Sequence, residues 1–519
     1  MLDLTRFTPE QREVVLAGEG PLLVVAGPGA GKTSVLAARI AYLVLVRGVP
    51  AEAVLALTFT AAAARRLRAR LRAVLAGAAA AVAVSTFHAL GLRLLRRWPE
   101  AAGFPPGGPR VCDAPATLAL VRGAAAAAGL DPDRWRPIEL AAAVERLRRS
   151  GASGGPGGTG PEPDALVVLA RAYEAGLRRR GAVDYPALLA LPVRLLEDRP
   201  DLLRAARAAH RAVLVDEAQD LCPLQYALVR ALAAGHRHAV LVGDPRQAIY
   251  GWRGADPRLL GAFLRDFPEA RVLALDQNFR ATGRLVGVAN ALGRALGFPA
   301  RLWTANAVGE RARVLTAPDE RAEAGAVAAE VARLCAGGRL TPADVAVLYR
   351  TRRQAAALAA ALSARGLPCR VRAHAAALDG DGAGGGPGSA GGGERGVLLA
   401  TIHAAQGGEW PVVFVAGVEE GLLPHARAVG AMGTTRESVP EASGPGEGLA
   451  EELRVAFVAV TRPRSLLYLS HSRARGSGDR EGRPRPRRPS RFLRLLPPEL
   501  VADPLGAPGR RREVDPWGP

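Results

Sequence analysis

A glycine-rich loop set between a short apolar run and a helix constrains this chain more than any other feature. Leu22-Leu23-Val24-Val25 leads directly into Ala26-Gly27-Pro28-Gly29-Ala30-Gly31-Lys32-Thr33. Glycines let backbone N–H groups curl around phosphate oxygens, a compact ammonium reaches the β- and γ-phosphates, and a hydroxyl takes Mg2+. Lys32 is the sole lysine among 519 residues; apart from eight histidines, every other basic side chain is arginine. A forked guanidinium does not suit a place that needs a point charge on a slim stem. The pattern predicts a P-loop in which Ala26, Gly27, Gly29, Gly31, Lys32, Thr33 and Ser34 hold a nucleoside triphosphate and Thr33 reaches Mg2+. Ala26 departs from it, since glycine is usual there.

Short apolar runs alternate with helical stretches on both sides of a helical region. Thr8-Pro9-Glu10-Gln11 reads as a helix start, with Thr8 as cap. Strands are expected at Val54–Phe59, Val82–Phe87, Ala212–Val215, Ala239–Val242 and Val272–Leu275. A second group lies at Val345–Tyr349, Val397–Ala400, Val412–Ala416 and Ser465–Leu469. Two such clusters predict an α/β protein with two doubly wound parallel sheets. Residues 100–185 read as alanine-rich helices, broken by the glycine-rich Gly151–Gly158. Gly380–Gly393 is too poor in apolar groups to form a core. From His471 onward, arginines Arg473, Arg475, Arg480, Arg483, Arg485, Arg487 and Arg488 stand among prolines and glycines, the composition of a solvated tail or a phosphate-binding one.

The formal charge of +20 points to a polyanionic partner, nucleic acid before membrane, although an arginine-rich codon bias gives the same number. Cys112, Cys222, Cys335 and Cys369 are widely spaced and form no metal or redox pair. The first residues lack a signal-peptide pattern and no apolar run suits a membrane, so a cytoplasmic, nucleoid-associated location is expected.

Ala212-Val213-Leu214-Val215-Asp216-Glu217-Ala218-Gln219-Asp220 places carboxylates at the end of an apolar strand, where open α/β sheets bind ligands. Asp216 can hold the Mg2+ shared with Thr33, and Glu217 can orient and deprotonate an attacking water. A helix cap is the plainer reading of such a pair in isolation; the P-loop upstream reverses that preference.

Asp216–Asp220 resembles the DExQD box of the UvrD/Rep/PcrA helicases of superfamily 1, and most of that family's ordered motifs follow along residues 7–497. Gln11 resembles the Q-motif glutamine, which pairs with adenine. Thr58-Phe59-Thr60 resembles motif Ia and Thr86-Phe87-His88 motif Ib. Gly243–Ala255 resembles motif III, Asn278-Phe279-Arg280 motif IV, Thr401–Trp410 motif V, and Val458–Arg462 motif VI. The resemblance implies two RecA-like P-loop domains with a helical insertion in the first. Residues 1–88 and 185–275 would form one motor domain, 89–184 the insertion, and 276–377 with 394–497 the second motor domain. A linker at 378–393 and a basic, partly disordered tail at 471–519 complete the division.

By the same resemblance, Lys32, Glu217, Gln247, Arg280 and Arg462 are catalytic: Gln247 senses the γ-phosphate and the two arginines clamp it. Phe279 stacks on adenine and Glu409 contacts the ribose. Phe59, Thr86, His88, Tyr250, Trp252, Arg253 and His403 meet single-stranded DNA, the aromatics by stacking on bases. His88 and His403 are not expected to bind metal, having no Cys or His partner at ligand spacing. The implied function is a DNA helicase or translocase driven by ATP and Mg2+, moving 3′ to 5′ in repair or recombination. Single-stranded DNA, single/double-strand junctions and repair proteins are the expected partners. The alternatives are a translocase subunit that does not unwind alone, a non-motor DNA-binding protein, and an RNA-directed ATPase.

Three departures from the family stand out. Ala61–Ala64 replaces the polar end of motif Ia, and Gln406 stands where motif V usually has lysine. The interval from Tyr349 to Thr401 holds one helix-like stretch, Gln354–Gly366, in place of the family's large helical insertion.

Overall fold

The computed structural model describes residues 3–131, 134–150, 163–372, 396–430, 447–476 and 485–502. The expected glycine-rich loop Gly151–Gly158 and linker 378–393 lie outside these residues.

Among the described residues, seventeen strands alternate with helices. Strands β1 (Leu22–Ala26), β2 (Val54–Thr58) and β3 (Ala83–Thr86) precede a helical region that holds the short β4 (Arg110–Val111) and β5 (Ala182–Val183). Strands β6 (Ala212–Val215), β7 (Ala239–Gly243) and β8 (Arg271–Leu275) follow. The first sheet has the order β3-β2-β6-β7-β1-β8, and every pairing is parallel. Strands β1, β2, β6 and β7 are apolar on both faces because both are covered, whereas the edge strand β8 is largely exposed. Leu22, Val24, Val54, Ala56, Leu214 and Val242 enter one core, and their neighbours Leu23, Leu55, Leu57, Val213, Val215 and Leu241 enter another. The alternation is that of side chains along a strand.

The second sheet uses β9 (Ala312–Ala317), β10 (Val345–Tyr349), β11 (Cys369–Arg372), β12 (Val397–Thr401), β13 (Trp410–Ala416), β14 (Pro463–Ser472) and β17 (Val501–Ala502). Its order is β11-β12-β10-β13-β14-β9-β17, again all parallel. Two large parallel sheets of this kind agree with two RecA-like domains. Sequence patterning did not single out β9, β11 or β17. Strand β9 is half-exposed through its middle and carries Arg313 and Thr316, so its apolar signal is weak. Pairing with β14 on one side and β17 on the other makes it a strand.

Between β3 and β6, the helices Ala114–Ala127, Pro137–Ser150 and Pro163–Arg179 share a core of Leu120, Val121, Leu140, Leu169, Tyr173 and Leu177. The parallel β4–β5 pair ties the start of this unit to its end. Between β10 and β12, one helix, Gln354–Ser363, appears among the described residues.

Of the segment expected to be a solvated or phosphate-binding tail, residues 471–476 and 485–502 are described, and parts of these pack against the second sheet, while 477–484 and 503–519 lie outside the described residues. His471 and Ser472 are buried at the end of β14, and β15 (Ala474–Arg475) pairs with β16 (Arg485–Pro486). Arg475 bonds Glu419 at 2.7 Å and also pairs with Glu323, both carboxylates being buried. Two carboxylates away from water need a cation, which composition alone does not reveal. Phe492 is buried farther on, and β17 extends the sheet beside β9.

Candidate nucleotide site and nucleic-acid face

Because all six strands of the first sheet run the same way, the segments leaving their C-terminal ends emerge at one edge. Those segments hold the P-loop after β1, Phe59 after β2, and Thr86, closing β3, with His88 just beyond it. They also hold Asp216 and Glu217 after β6, Gln247 to Arg253 after β7, and Phe279 and Arg280 after β8. Parallel topology thus gathers residues scattered over more than 250 positions.

Gly29 and Gly31 turn the P-loop through left-handed φ angles of 72° and 79°. A Cβ on Gly29 would lie 2.9 Å from Asn278 Oδ1 and from Arg280 Cβ, so the tight fit as well as the backbone demands glycine. Gly31 caps the helix Lys32–Leu45 without any side chain, and a helix N-terminus left uncapped in this way suits an anion. Lys32 Nζ donates to the carbonyls of Ala26 and Gly27, at 3.0 and 3.1 Å. Gln11 is buried; its amide donates to Ala30 O at 3.0 Å, and its side chain completes the capping box with Thr8. Gln11, Phe279 and Trp303 line one polar cavity of about 120 Å³ beside the P-loop. Ser34 follows Thr33 in the first turn of the helix, where its hydroxyl contacts Arg70.

Thr33 Oγ1 and Asp216 Oδ2 face each other at 3.4 Å. Neighbouring ligands of an octahedral Mg2+ with bonds of 2.0–2.1 Å stand about 3 Å apart, so the pair fits one small cation. Burial and the adjacent Glu217 carboxylate push Asp216 up to about 7, opposed by Lys32, which is the condition of a carboxylate short of positive charge. Among the described residues no group of three or more His, Cys, Asp or Glu could hold a metal alone. Mg2+ commonly binds through few protein ligands and takes the rest from phosphates and water. Glu217 itself sits at φ 56°, a left-handed conformation that is strained for a side-chain-bearing residue.

A chain of hydrogen bonds leads from Glu217 to the second sheet. Gln219 Nε2 donates to Glu217 Oε2 at 2.9 Å, and Gln219 Oε1 accepts from the Asp244 N–H at 2.9 Å. Gln247 Nε2 donates to Asp244 Oδ2 at 2.8 Å, while Gln247 Oε1 accepts from Arg462 Nη2 at 2.9 Å. Arg462 is buried; burial first, then nearby Arg280, pulls it down to about 9. Arg280 is also lowered by burial, partly offset by Glu409. Glu409 bridges Arg280 and Arg464, each at 2.5 Å. Two desolvated guanidiniums, that of Arg280 leaving a backbone packed against Gly29 of the P-loop, favour a polyphosphate electrostatically.

On the other side of the same loops, Phe59 stacks on Tyr250 with ring centroids 5.4 Å apart. Tyr250 also lies 6.4 Å from Trp252 and 6.2 Å from His403, and its hydroxyl donates to His403 O at 3.3 Å. Arg253 covers the rings of Trp252 and Tyr250 at 4.5 and 5.4 Å. Trp252 is 53% exposed, so a broad ring face is open to solvent. His403 is buried. His88 stacks on Tyr185 at 3.7 Å, and burial lowers it to about 3, which keeps it neutral. Thr86 caps the helix Phe87–Arg97, accepting from the Ala89 N–H.

Sequence reading passed over Trp303 and Tyr185, because nothing local marks them. Trp303 is brought to the cavity by a backbone bridge to Gln277 and by the Asn278 N–H donating to its carbonyl at 2.7 Å. Gln406, where lysine was missed, donates to the buried Asp220 at 3.0 Å and so joins the two sheets.

Comparison with known proteins agrees with this arrangement. The UvrD/REP helicase N-terminal domain model matches residues 7–268, and the UvrD-like helicase C-terminal domain model matches 273–375 and 391–474. The chain is similar to the ATP-dependent DNA helicase PcrA of Staphylococcus aureus (strain MRSA252), 26% identical over 99% of this chain and 89% of that protein. It is also similar to the ATP-dependent DNA helicase UvrD1 of Mycobacterium bovis, 34% identical over 71% of this chain and 50% of that protein. The PcrA alignment runs to 667 positions, more than this chain contains, so PcrA has segments with no counterpart here. With both domain models matched in order across the two sheets, the chain belongs to the UvrD/REP helicase family.

Proposed function

We propose that this protein hydrolyses ATP with Mg2+ when single-stranded DNA is bound and moves 3′ to 5′ along that strand. The observation that supports the reading is the continuous hydrogen-bonded path from Glu217 to Arg462, which joins a carboxylate after β6 and a guanidinium of the other sheet in one network.

Lys32 leaves its two P-loop carbonyls to meet the β- and γ-phosphates, and the uncapped N–H groups after Gly31 take further oxygens. Gln11 and Phe279 hold the base, Phe279 by stacking, and Glu409 contacts the ribose. Thr33 and Asp216 hold Mg2+, which neutralises phosphate charge when bound. Glu217 orients the attacking water and takes its proton, Gln247 senses the γ-phosphate, and Arg280 and Arg462 neutralise charge developing there. Because Arg462 comes with the second sheet, and Arg280 reaches Glu409 and the Thr461 carbonyl of that sheet, closing the cleft assembles the site and hydrolysis releases it. Phe59, Tyr250 and Trp252 stack on bases without reading sequence, as a translocating protein requires. Thr86, His88, Arg253 and His403 complete that face.

A second reading, a translocase that separates strands only within a larger assembly, is favoured by the single helix described between β10 and β12. ATP turnover measured without nucleic acid, with single-stranded DNA and with RNA, together with unwinding of 3′- and 5′-tailed duplexes, tests both. Stimulation by DNA and opening of only the 3′-tailed duplex is the expected result. Stimulation without unwinding selects the second reading, and no stimulation at low salt overturns both.

A further inference from the structure

One helix, Glu447–Val460, and the residues just after it meet the loop after β7 at several points between Glu451 and Arg462. Just past its C-terminal end, Arg462 bonds Gln247 on the nucleotide side. Midway, the Arg246 guanidinium lies over the Phe457 ring at 5.6 Å, and Ile249 is buried in the same apolar cluster as Leu453, Ala456 and Phe457. Near the N-terminal end, Glu451 Oε1 accepts the Gly251 N–H at 3.1 Å, beside Tyr250 and Trp252. A Cβ on Gly251 would stand 2.8 Å from Glu451 Oε2, so the loop can approach the carboxylate this closely only with glycine there.

The neighbouring Glu452 does different work. It accepts from Arg350 at 2.6 Å and from the His425 N–H at 2.9 Å, which fixes the helix to the second sheet. Glu451 alone of the two reaches the first sheet's loop. Its carboxyl is raised by burial and by Glu452, and is held down by the Gly251 N–H, Arg454 and Arg350. From Glu451 to Arg462 the helical rise spans roughly 15 Å.

We propose that Glu451 is a positioning residue that ties the aromatic face to the helix leading into Arg462, so that engagement of a base at Trp252 and of a γ-phosphate at Arg462 favour the same loop position. The inference rests on the functional reading above. A helix is stiff over this length and the loop is held at both ends, so a displacement at one end is felt at the other. By thermodynamic linkage the effect is reciprocal: nucleotide changes DNA affinity by the factor with which DNA changes nucleotide affinity.

The test uses the full chain as wild type, Glu451→Ala and Glu451→Gln, with oligo-dT as DNA and a non-hydrolysable ATP analogue. The affinity for oligo-dT is measured with and without the analogue, ATP turnover with and without oligo-dT, and thermal stability for all three proteins. In Glu451→Ala, the factor by which the analogue changes DNA affinity is expected to fall at least about fivefold, as is DNA stimulation of turnover. DNA-free turnover stays near the wild-type value. Glu451→Gln, whose carbonyl can accept the same N–H, restores most of the linkage. Wild-type linkage in the alanine variant, or equal loss in both variants with unchanged melting, overturns the proposal. Absence of DNA stimulation in the wild type is a separate outcome and overturns the functional reading itself.

Discussion

Arg462 and Gln247 belong to different sheets, and a 2.9 Å hydrogen bond between them is the last link from the acidic pair after β6 to motif VI. Gln247 is held from its other end by Asp244, so its amide has one orientation available when Arg462 arrives. Arg462→Ala is expected to lower DNA-stimulated turnover on the order of 10³-fold, the scale of a lost arginine finger. Gln247→Ala should retain nucleotide binding while losing most stimulation. Steady-state ATPase assays with and without DNA check both, and near-normal turnover in Arg462→Ala would remove this residue from the chemistry.

Lys32 rests on two P-loop carbonyls, a snug place for an ammonium. Lys32→Ala is expected to abolish turnover while single-stranded DNA binding stays close to wild type. Lys32→Arg is the sharper test, since it keeps the charge and changes only its shape. Wild-type turnover in Lys32→Arg, measured at saturating ATP, would refute the stated reason for this lysine.

Burial and the neighbouring Glu217 raise the folded-state value of Asp216 to about 7 from the ordinary 3.8. For a raised group, stability is fully present below the unfolded value and is lost as pH rises through the folded one. The nucleotide-free protein should therefore lose this contribution between about pH 4 and 7. Asn resembles a protonated Asp and does not titrate. Asp216→Asn should match the wild type near pH 4 and melt above it at pH 8, a difference readable by calorimetry without Mg2+ or nucleotide. A pH-independent difference would contradict the assignment.

Trp252 and Phe59 present ring faces around Tyr250. Trp252→Ala is expected to weaken oligo-dT binding by about 1–3 kcal/mol, regardless of base sequence. Affinity of the wild type should fall steeply between roughly 50 and 200 mM salt if arginines also hold the phosphates. Fluorescence anisotropy across a salt series separates the terms: the tryptophan change should shift the curve without altering its slope.

Arg475 stands between buried Glu323 and Glu419. Arg475→Ala leaves those carboxylates without their guanidinium and is expected to destabilise the fold by about 3–5 kcal/mol. Denaturant unfolding measures this. A change under about 1 kcal/mol would mean that the pair is solvated in the native state, as exposed pairs are.

Both sheets and most motif positions were legible in the sequence because their signals are local. A strand covered on both faces reads as an unbroken apolar run, as in Ala212–Val215 and Val345–Tyr349. A P-loop must carry glycines at set positions next to its lysine. The capping box at Thr8 and Gln11 was readable for the same reason. Strand β9, with arginine and threonine in a half-exposed run, gave no such signal, and the burial of His471 and Ser472 and the ion pairs of Arg475 were hidden by the arginines around them. Their partners, β14 for one and Glu323 with Glu419 for the other, are remote in sequence.

Lys32 alone announced a phosphate site, and the ordered motifs announced the family. Local backbone requirements and side-chain chemistry are written directly in residue order, so these features needed no fold. Which residues meet across the cleft was decided only by tertiary structure: Arg462 with Gln247, Gln406 with Asp220, Glu451 with Gly251, Trp303 beside Phe279. Each of these contacts depends on how parallel strands stack and how the two sheets face each other, a global packing result that no short stretch of sequence contains.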